Sequence, residues 1–230
     1  MAITPSITRT AKMGVFALIC NCLALIAASD VMAQGKNAPI RIVAFGDSLS
    51  AGFRLVQSDS FPAQLAAALT ARGHAVEVIN AGVTGDTTAA GRERLAWSVP
   101  PGTEAVIVEL GANDMLRGLD PRGTRDNLDA ILRELKKLPA EVLVAGMRAP
   151  KNLGDRYQQD FDRIFPELAA THGALLYPFF IERIVLKPEL NLDDGLHPNA
   201  RGVAVIVADI MPKVEELIAR VIARRSGQSG

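Results

Sequence analysis

The fold is decided by the stretch Ile42-Val43-Ala44-Phe45-Gly46-Asp47-Ser48-Leu49-Ser50, in which an apolar run of strand character ends at a Gly-Asp-Ser turn. A buried strand that ends in a polar turn presents the side chains of that turn above the edge of a sheet. Asp and Ser also commonly form a turn and cap the following helix, and for this turn taken alone that is the commoner interpretation. Ser48 is therefore a candidate nucleophile whose assignment depends on the rest of the chain.

The length and composition indicate a single globular domain. The chain has 230 residues, of which 49% are hydrophobic and 22% charged, and this is enough for one sizeable core. Both cysteines, Cys20 and Cys22, lie in an apolar N-terminal stretch. If that stretch is removed, the mature protein has no thiol, which excludes a disulfide framework, a thiolate nucleophile and a cysteine-bound zinc.

The N-terminus has the pattern of an export signal. Arg9 and Lys12 precede an apolar run over residues 13–28, and Val31-Met32-Ala33 gives the spacing of small residues that a signal peptidase recognises. We therefore expect a signal peptide over residues 1–33 and a mature protein that is periplasmic or secreted. A stable membrane anchor is a poorer interpretation because the apolar run is short and contains an asparagine.

Cleavage near Ala33-Gln34 leaves a single domain over residues 34–230, with a frayed tail expected from about residue 224. The full chain has 25 basic and 25 acidic side chains, and removal of two basic and one acidic residue leaves 23 and 24, a formal net charge of −1. No basic surplus remains to bind nucleic acid or an anionic membrane. The expected partner is a small molecule.

Apolar runs of strand character alternate with helical patterns along the mature chain. Strands are predicted at residues 40–45, 75–79, 105–110, 142–146 and 174–177, and helices at 61–72, 87–97, 122–138, 157–171 and 199–224. Each crossover must bring the chain back to the same end of the sheet. The alternation therefore predicts an α/β fold, a three-layer α/β/α sandwich around a five-stranded parallel sheet.

Ligands bind at the carboxyl ends of the strands in an open parallel sheet. Four polar segments are predicted at that edge: Gly46-Asp47-Ser48, residues 80–87, Gly111-Ala112-Asn113-Asp114 and residues 193–199. Each has a simpler explanation, such as a plain turn around Gly85, a capping role for Asn113 or the start of a helix at His197. One site assembled from all four segments explains them better than four separate accounts.

Of the three histidines, only His197 lies at this edge. His74 and His172 lie near predicted helix ends, where the helix dipole favours a cation. A serine hydroxyl attacks a carbonyl poorly without a base, and imidazole has a suitable pKa for that task near neutral pH. Asp194, three residues before His197, has the spacing to accept the second imidazole proton, with Asp193 as the fallback.

Attack on a carbonyl also creates an oxyanion that needs positioned hydrogen-bond donors. The backbone N–H groups of Ser48 and Gly85 and the side-chain amide of Asn113 are the three candidates. This chemistry requires no metal and no other cofactor.

These segments resemble the four sequence blocks of the GDSL-type SGNH hydrolases. The blocks are Gly46-Asp47-Ser48-Leu49, Gly85, Gly111-x-Asn113-Asp114 and Asp194-x-x-His197, in this order over nearly the whole mature chain. Longer phrases, such as Thr84-Gly85-Asp86-Thr87, are similar to the bacterial branch that holds periplasmic acyl-CoA thioesterase I, lysophospholipase and arylesterase enzymes. One position departs from a common form of the third block, because Ala112 replaces a second glycine.

The resemblance implies a flavodoxin-like sheet and a catalytic triad of Ser48, His197 and Asp194. It also implies an oxyanion hole completed by Gly85 and Asn113, with Gly82 as the competing glycine. The implied activity is hydrolysis of acyl esters and thioesters, including aryl esters, acyl-CoA and lysophospholipids, through an acyl-enzyme intermediate.

Apolar residues that follow the blocks are candidate substrate contacts, and they favour an acyl or aryl group over a sugar. They are Phe53, Leu55, Val56, Met115, Leu116, Leu153, Tyr157, Phe179 and Phe180. For each of them, ordinary packing under the loops is an equally open interpretation.

Two other functions remain open at this point. Gly46-Asp47, Gly85-Asp86 and Asn113-Asp114 loosely match the Asp and Asn ligands of a metal-dependent phosphoesterase, although such sites usually need several histidines. A non-catalytic periplasmic lipid carrier on the same fold is the third interpretation, and it gives no reason for the spacing of Asp194 and His197.

Overall fold

A computed structural model describes Met1 and residues 38–227 of the chain. The expected signal peptide over residues 1–33 and the cleavage point near Ala33-Gln34 lie, apart from Met1, outside the described residues. Pro39–Gly230 forms one compact unit.

The core of this unit is a sheet of five parallel strands. The strands are β1 (Ile40–Gly46), β2 (Val76–Gly82), β3 (Ala105–Glu109), β4 (Glu141–Ala145) and β5 (Leu175–Tyr177). Their order across the sheet is β2-β1-β3-β4-β5, and every neighbouring pair is parallel. The predicted α/β fold with a five-stranded parallel sheet is confirmed.

Eight helices are described between and after these strands. They are α1 (Ser48–Ala51), α2 (Phe61–Ala71), α3 (Thr88–Ser98), α4 (Ala112–Leu116), α5 (Pro121–Leu135), α6 (Asp155–Asp162), α7 (Ile164–His172) and α8 (Ala200–Gly227). Short 3-10 turns lie at Gln57–Asp59, Lys151–Leu153 and Pro188–Leu190. Helices α2 and α8 pack together on one side of the sheet, and α3, α5 and α7 form the layer on the other side.

The central strands are apolar on both faces because helices cover both faces. Within β1, the four residues from Ile42 to Phe45 are all fully buried, and so is nearly all of β3. This burial explains why these strands read as continuous apolar runs rather than as an alternation of apolar and polar residues.

The prediction of a single helix over residues 157–171 is wrong, because the chain forms two helices, α6 and α7, with a break at Arg163. Pro166 has no N–H to donate to the carbonyl of Asp162, and the proline ring would clash with that carbonyl in a continuous helix. The break therefore follows from the proline.

A frayed tail was expected from about residue 224, but α8 continues to Gly227. Arg224 donates to Glu141 at 3.4 Å, and Nε of Arg225 donates to Glu104 at 2.7 Å. These contacts hold the last turn of the helix against the start of the sheet. Residues 228–230 lie outside the described residues.

Candidate active site

Ser48 and His197 meet at the carboxyl edge of the sheet, although they lie 149 positions apart in the sequence. Nε2 of His197 is 2.9 Å from Oγ of Ser48, and Nδ1 of His197 is 2.9 Å from Oδ2 of Asp194. When Nδ1 carries the ring proton and donates a hydrogen bond to the carboxylate, Nε2 is free to accept the hydroxyl proton. The three side chains thus form one hydrogen-bonded chain from carboxylate to hydroxyl.

Ser48 is the first residue of α1, directly after β1. Asp47 caps this helix by accepting a hydrogen bond from the N–H of Leu49 at 3.0 Å, and Gly52 ends it with a φ of 82°. The first N–H groups of a helix have no partner within the helix. The N–H of Ser48 accordingly has no hydrogen-bond partner among residues 38–227.

Asp194 is held in its ionised form by the backbone of its own turn. Its Oδ1 accepts hydrogen bonds from the N–H groups of Leu196 and His197, at 2.9 and 3.0 Å. These donors, with that of His197 first, lower the pKa of Asp194 to about 2. The fallback residue Asp193 instead pairs with Arg54 at 2.7 Å, so Asp194 is the carboxylate that contacts the imidazole.

The two glycines that compete in the second block differ in what their N–H groups do. The N–H of Gly82 donates to Oδ1 of Asn80 at 3.0 Å. The N–H of Gly85 has no partner in the described part of the chain, and a φ of 86° gives Gly85 a backbone that favours glycine. Arg117 donates to the carbonyl of Gly85 at 2.6 Å and holds this loop.

Asn113 lies in α4, two residues after Gly111 at the end of β3. Its amide nitrogen donates one hydrogen bond to Oδ2 of Asp47 at 2.9 Å. A side-chain amide has two N–H bonds, so one donor of Asn113 remains beside the Ser48 turn.

Two buried carboxyl groups lie in and beneath this turn, and the sequence did not predict a role in ester hydrolysis for either of them. Asp47 and Glu109 are both fully buried. Burial raises the pKa of Asp47 to about 6, against hydrogen bonds from Leu49 and Asn113 that lower it. The sequence signal for Asp47 was its place in the first block, whereas Glu109 was hidden in an apolar strand.

Arg94 is a third buried group, and its burial was not predicted from the sequence. Its guanidinium donates to Asp86 at 2.5 Å, to the carbonyl of Ala81 at 2.9 Å and to the carbonyl of Gly46 at 2.8 Å. It also lies over the ring of Phe45, 4.4 Å from the centroid. Arg94 thereby ties the loop that carries Gly85 to the ends of β1 and β2.

The residues predicted to contact the substrate differ in their distance from the triad and in their exposure. Phe53 packs against the imidazole of His197, with ring centroids 4.4 Å apart. Leu116 and Val56 are exposed, and Leu153 is also exposed. Leu55 is half-buried against the core.

Other members of that set belong to the packing of the domain. Phe180 is buried and makes an edge-to-face contact with Phe61, and Met115 is also buried. Phe179 packs on the core with Arg148 over its ring. These positions favour the packing interpretation for Phe180, Met115 and Phe179.

Tyr157 contributes to a separate cavity rather than to the triad. The cavity has a volume of about 550 Å³ and lies between the start of α5 and the helices α6 and α7, where Tyr157 lines it with Arg122 and Arg156. None of the triad residues lines it. The hydroxyl of Tyr157 donates to the carbonyl of Leu119 at 3.0 Å.

Residues 38–227 contain neither a candidate metal site nor a candidate membrane span. No group of three or more His, Cys, Asp or Glu side chains there could hold a metal ion. No helix in that part of the chain is long and apolar enough to cross a membrane.

A hydroxyl, an imidazole and a carboxylate joined in this order, with hydrogen-bond donors beside the hydroxyl, define the class of serine hydrolases. Residues 44–205 match the model of the GDSL-like lipase/acylhydrolase family. The chain therefore belongs to this family, and it is an ester hydrolase. Family membership favours neither the metal-dependent phosphoesterase nor the lipid carrier.

Similar proteins agree with this assignment. The chain is 36% identical over 194 residues to an arylesterase of Vibrio mimicus, covering 84% of this chain and 93% of the relative. It is 41% identical over 173 residues to thioesterase 1/protease 1/lysophospholipase L1 of Escherichia coli strain K12, covering 75% and 81%. The crystal structure of AlinE4, a SGNH-hydrolase family esterase, superposes with a TM-score of 0.67 at 46% identity, covering 78% of this chain and 97% of AlinE4.

Proposed function

We propose that the protein is a serine esterase and thioesterase in which Ser48 is the nucleophile, His197 the general base and acid, and Asp194 the residue that orients the imidazole. The observation that carries this proposal is the continuous hydrogen-bonded chain of Asp194, His197 and Ser48, with 2.9 Å at each step. This distance is within the range that proton transfer to a base needs.

In the first half of the reaction, Oγ of Ser48 bonds to the acyl carbon while Nε2 of His197 takes the hydroxyl proton. The tetrahedral intermediate collapses, the bond to the alcohol or thiol breaks, and His197 gives its proton to that leaving group. The acyl group remains on Ser48 as an ester. In the second half, water attacks this ester with His197 as base, which releases the acid and restores the hydroxyl.

The oxyanion hole consists of the N–H of Ser48, the N–H of Gly85 and the free amide hydrogen of Asn113. All three donors lie at the carboxyl ends of β1, β2 and β3, and none of these hydrogens has another partner among the described residues. Loss of one such donor typically costs about 3 to 4 kcal/mol of transition-state stabilisation. Gly85 is preferred to Gly82 because the N–H of Gly82 is already bonded to Asn80.

The proposed substrates are small acyl and aryl esters and acyl thioesters, including acyl-CoA and lysophospholipids. The names of the Vibrio mimicus and Escherichia coli relatives support these classes. Phe53 beside His197 and exposed Leu116, three residues after Asn113, supply apolar surface for the acyl group. We also propose export, with removal of residues 1–33, which N-terminal sequencing of the mature protein tests by finding Gln34 first.

The test of the nucleophile is covalent labelling. A p-nitrophenyl phosphonate should form an O–P bond to Ser48 with release of p-nitrophenolate, and peptide mass spectrometry should place the adduct there. Ser48→Ala should lose both the adduct and the hydrolysis of p-nitrophenyl esters, acyl-CoA and a lysophospholipid. Ser226→Ala, at an exposed serine of α8, is the matched control and should behave as wild type. An adduct in the Ser48→Ala protein would contradict the proposal.

A further inference from the structure

Glu109 is a buried carboxyl group directly beneath the turn that carries Ser48. It is the last residue of β3 and has no exposed surface. Its Oε2 accepts hydrogen bonds from the N–H of Asp47 at 3.3 Å and from the hydroxyl of Ser50 at 2.9 Å. Its Oε1 has no partner in the described part of the chain. A carboxyl buried with one oxygen unpaired is unfavourable for folding, so its presence needs an explanation outside stability.

The strand that precedes Ser48, β1, ends in a glycine that leaves space for this carboxyl group. A Cβ added at Gly46 would lie 2.5 Å from Oε2 of Glu109 and 2.3 Å from Oγ of Ser50. Such distances do not occur between real atoms without a shift of one of them. Gly46 therefore allows the Glu109 side chain and the Ser50 hydroxyl to meet against the end of β1.

The contacts of Glu109 lead to two groups of the proposed mechanism. Asp47, whose N–H bonds to Glu109, caps the helix that begins at Ser48 through the N–H of Leu49. The other oxygen of Asp47 accepts the amide of Asn113. Glu109 thus fixes the backbone of Asp47, and Asp47 fixes both the start of α1 and the orientation of Asn113.

We propose that Glu109 is a positioning residue for ester hydrolysis, which holds the Asp47 N–H and the Ser50 hydroxyl so that Ser48 and the Asn113 amide keep their relative placement. Glu109 contacts neither of the reacting groups and acts through Asp47 and Ser50. The inference rests on the proposed roles of Ser48 and Asn113.

Only the acceptor oxygen of Glu109 is needed for this task. Burial raises the pKa of Glu109 well above its ordinary value of 4.5, and the nearby carboxylate of Asp47 raises the pKa further. Accepting these two hydrogen bonds requires no charge on the side chain, and the amide oxygen of a glutamine can accept the same two hydrogen bonds.

The experiment compares Glu109→Gln with Glu109→Met, which has a similar volume but no strong acceptor. Activity is measured as kcat and KM with a short-chain p-nitrophenyl ester, per active site titrated with the phosphonate. We expect kcat of Glu109→Gln within about threefold of wild type, and a loss of about 10- to 100-fold for Glu109→Met with KM little changed. Ile107→Ala, in the same strand, is the control for a destabilised sheet and should keep its kcat per titrated site.

Two results would overturn the inference: a kcat of Glu109→Met within twofold of wild type, or equal losses in Glu109→Gln and Glu109→Met. If Glu109→Met does not fold, Ser50→Ala replaces it, because it removes one of the two hydrogen bonds and leaves β3 intact. A fall in kcat of Ser50→Ala relative to Ser226→Ala supports the inference, and an unchanged kcat rejects it. Failure of the proposed function itself is separate, since it would appear as absence of phosphonate labelling in the wild-type protein.

Discussion

The ring of Phe53 lies against the imidazole of His197, with centroids 4.4 Å apart and ring planes inclined at 39°. The next residue, Arg54, has a φ of 57° and donates to the carboxylate of Asp193 at 2.7 Å. The loop after α1 is thus joined to the loop that carries Asp194 and His197. Phe53 covers one face of the imidazole, which in the proposed mechanism must hold its orientation during proton transfer.

Phe53→Ala should therefore lower kcat by about 3- to 10-fold, because a contact between aromatic rings is worth about 0.5 to 1.5 kcal/mol. The measurement is steady-state hydrolysis of a p-nitrophenyl ester. Phe53→Leu should retain more activity, since it keeps an apolar contact with the imidazole. Val56→Ala, at an exposed position of the same loop, should change kcat less than twofold, and an equal loss there would contradict the role of Phe53.

Asp194→Asn should keep the turn and lose the activity. The amide oxygen can still accept the N–H groups of Leu196 and His197, but its NH₂ group faces Nδ1 and favours the wrong imidazole tautomer. We expect kcat to fall by about 10³- to 10⁴-fold. Because the pKa of Asp194 is lowered to about 2, this carboxylate stays ionised in assays above pH 4 and sets no limb of the pH–rate profile there.

The neighbouring acid provides a matched control for that variant. Asp193 is exposed and bonds Arg54, and exposed ion pairs contribute little to stability. Asp193→Asn should keep kcat within about fivefold of wild type. Similar losses in the Asp193 and Asp194 variants would mean that the assignment of the acid is wrong.

Asp47→Asn tests whether burial raises the pKa of Asp47 in the folded protein. Burial raises the pKa of Asp47 from 3.8 to about 6, so the folded state binds this proton more tightly than the unfolded state. Wild-type stability therefore falls as pH rises from about 4 through 6, and the variant lacks this contribution. The unfolding free energy of Asp47→Asn minus that of wild type should increase by about 2 kcal/mol between pH 4.5 and pH 7.5.

Urea unfolding at pH 4.5, 5.5, 6.5 and 7.5 measures this difference. Asp120→Asn is the control, because the exposed Asp120 has its pKa lowered by Arg122. The contribution of the Asp120 carboxylate to stability is complete above pH 4.5. The unfolding free energy of Asp120→Asn minus that of wild type should therefore be constant in this range. A flat difference for Asp47→Asn would show that Asp47 has the same pKa in both states.

Arg94→Lys should destabilise the fold by about 2 to 4 kcal/mol. The reason is that the buried, planar guanidinium donates hydrogen bonds to Asp86 and to two backbone carbonyls. An ammonium group cannot reach the same three acceptors in that geometry. Urea unfolding at pH 7 provides the measurement. Arg92→Lys, on the exposed side of the same helix, should change the unfolding free energy by less than about 0.5 kcal/mol.

The sequence was sufficient for the sheet and for the residues of the triad as candidates. Alternating apolar runs and helical patterns determine a parallel sheet, and polar residues at its carboxyl edge can be predicted from the strand ends alone. From the sequence, Asp194 was the first candidate for the acid and Asp193 the fallback. In the structure Asp194 contacts the imidazole of His197, whereas Asp193 pairs with Arg54.

The missed features depend on contacts between distant segments. Glu109 belongs to an apolar strand. The role proposed for it depends on its hydrogen bonds with Asp47 and Ser50, which form only in the folded chain. Arg94 lies on a helix with a weakly amphipathic pattern, so its burial was not visible from periodicity. The side chains expected around the substrate were ambiguous for the same reason, since an apolar residue after a loop either packs or lines a cleft.

Gly46→Ala should disrupt the site more than its size suggests. The new methyl carbon would lie 2.3 Å from Oγ of Ser50 and 2.5 Å from Oε2 of Glu109, and 2.7 Å from the carbonyl of Glu109. Because that carbonyl belongs to β3, the end of β1 must move and take Ser48 away from His197. We expect a loss of at least about 100-fold in kcat/KM and about 2 to 4 kcal/mol of stability, measured by ester hydrolysis and urea unfolding. Gly123→Ala in α5, where an added Cβ meets nothing within 4 Å, should instead be neutral or stabilise by about 0.5 to 1 kcal/mol, and comparable losses in the two variants would contradict the steric explanation.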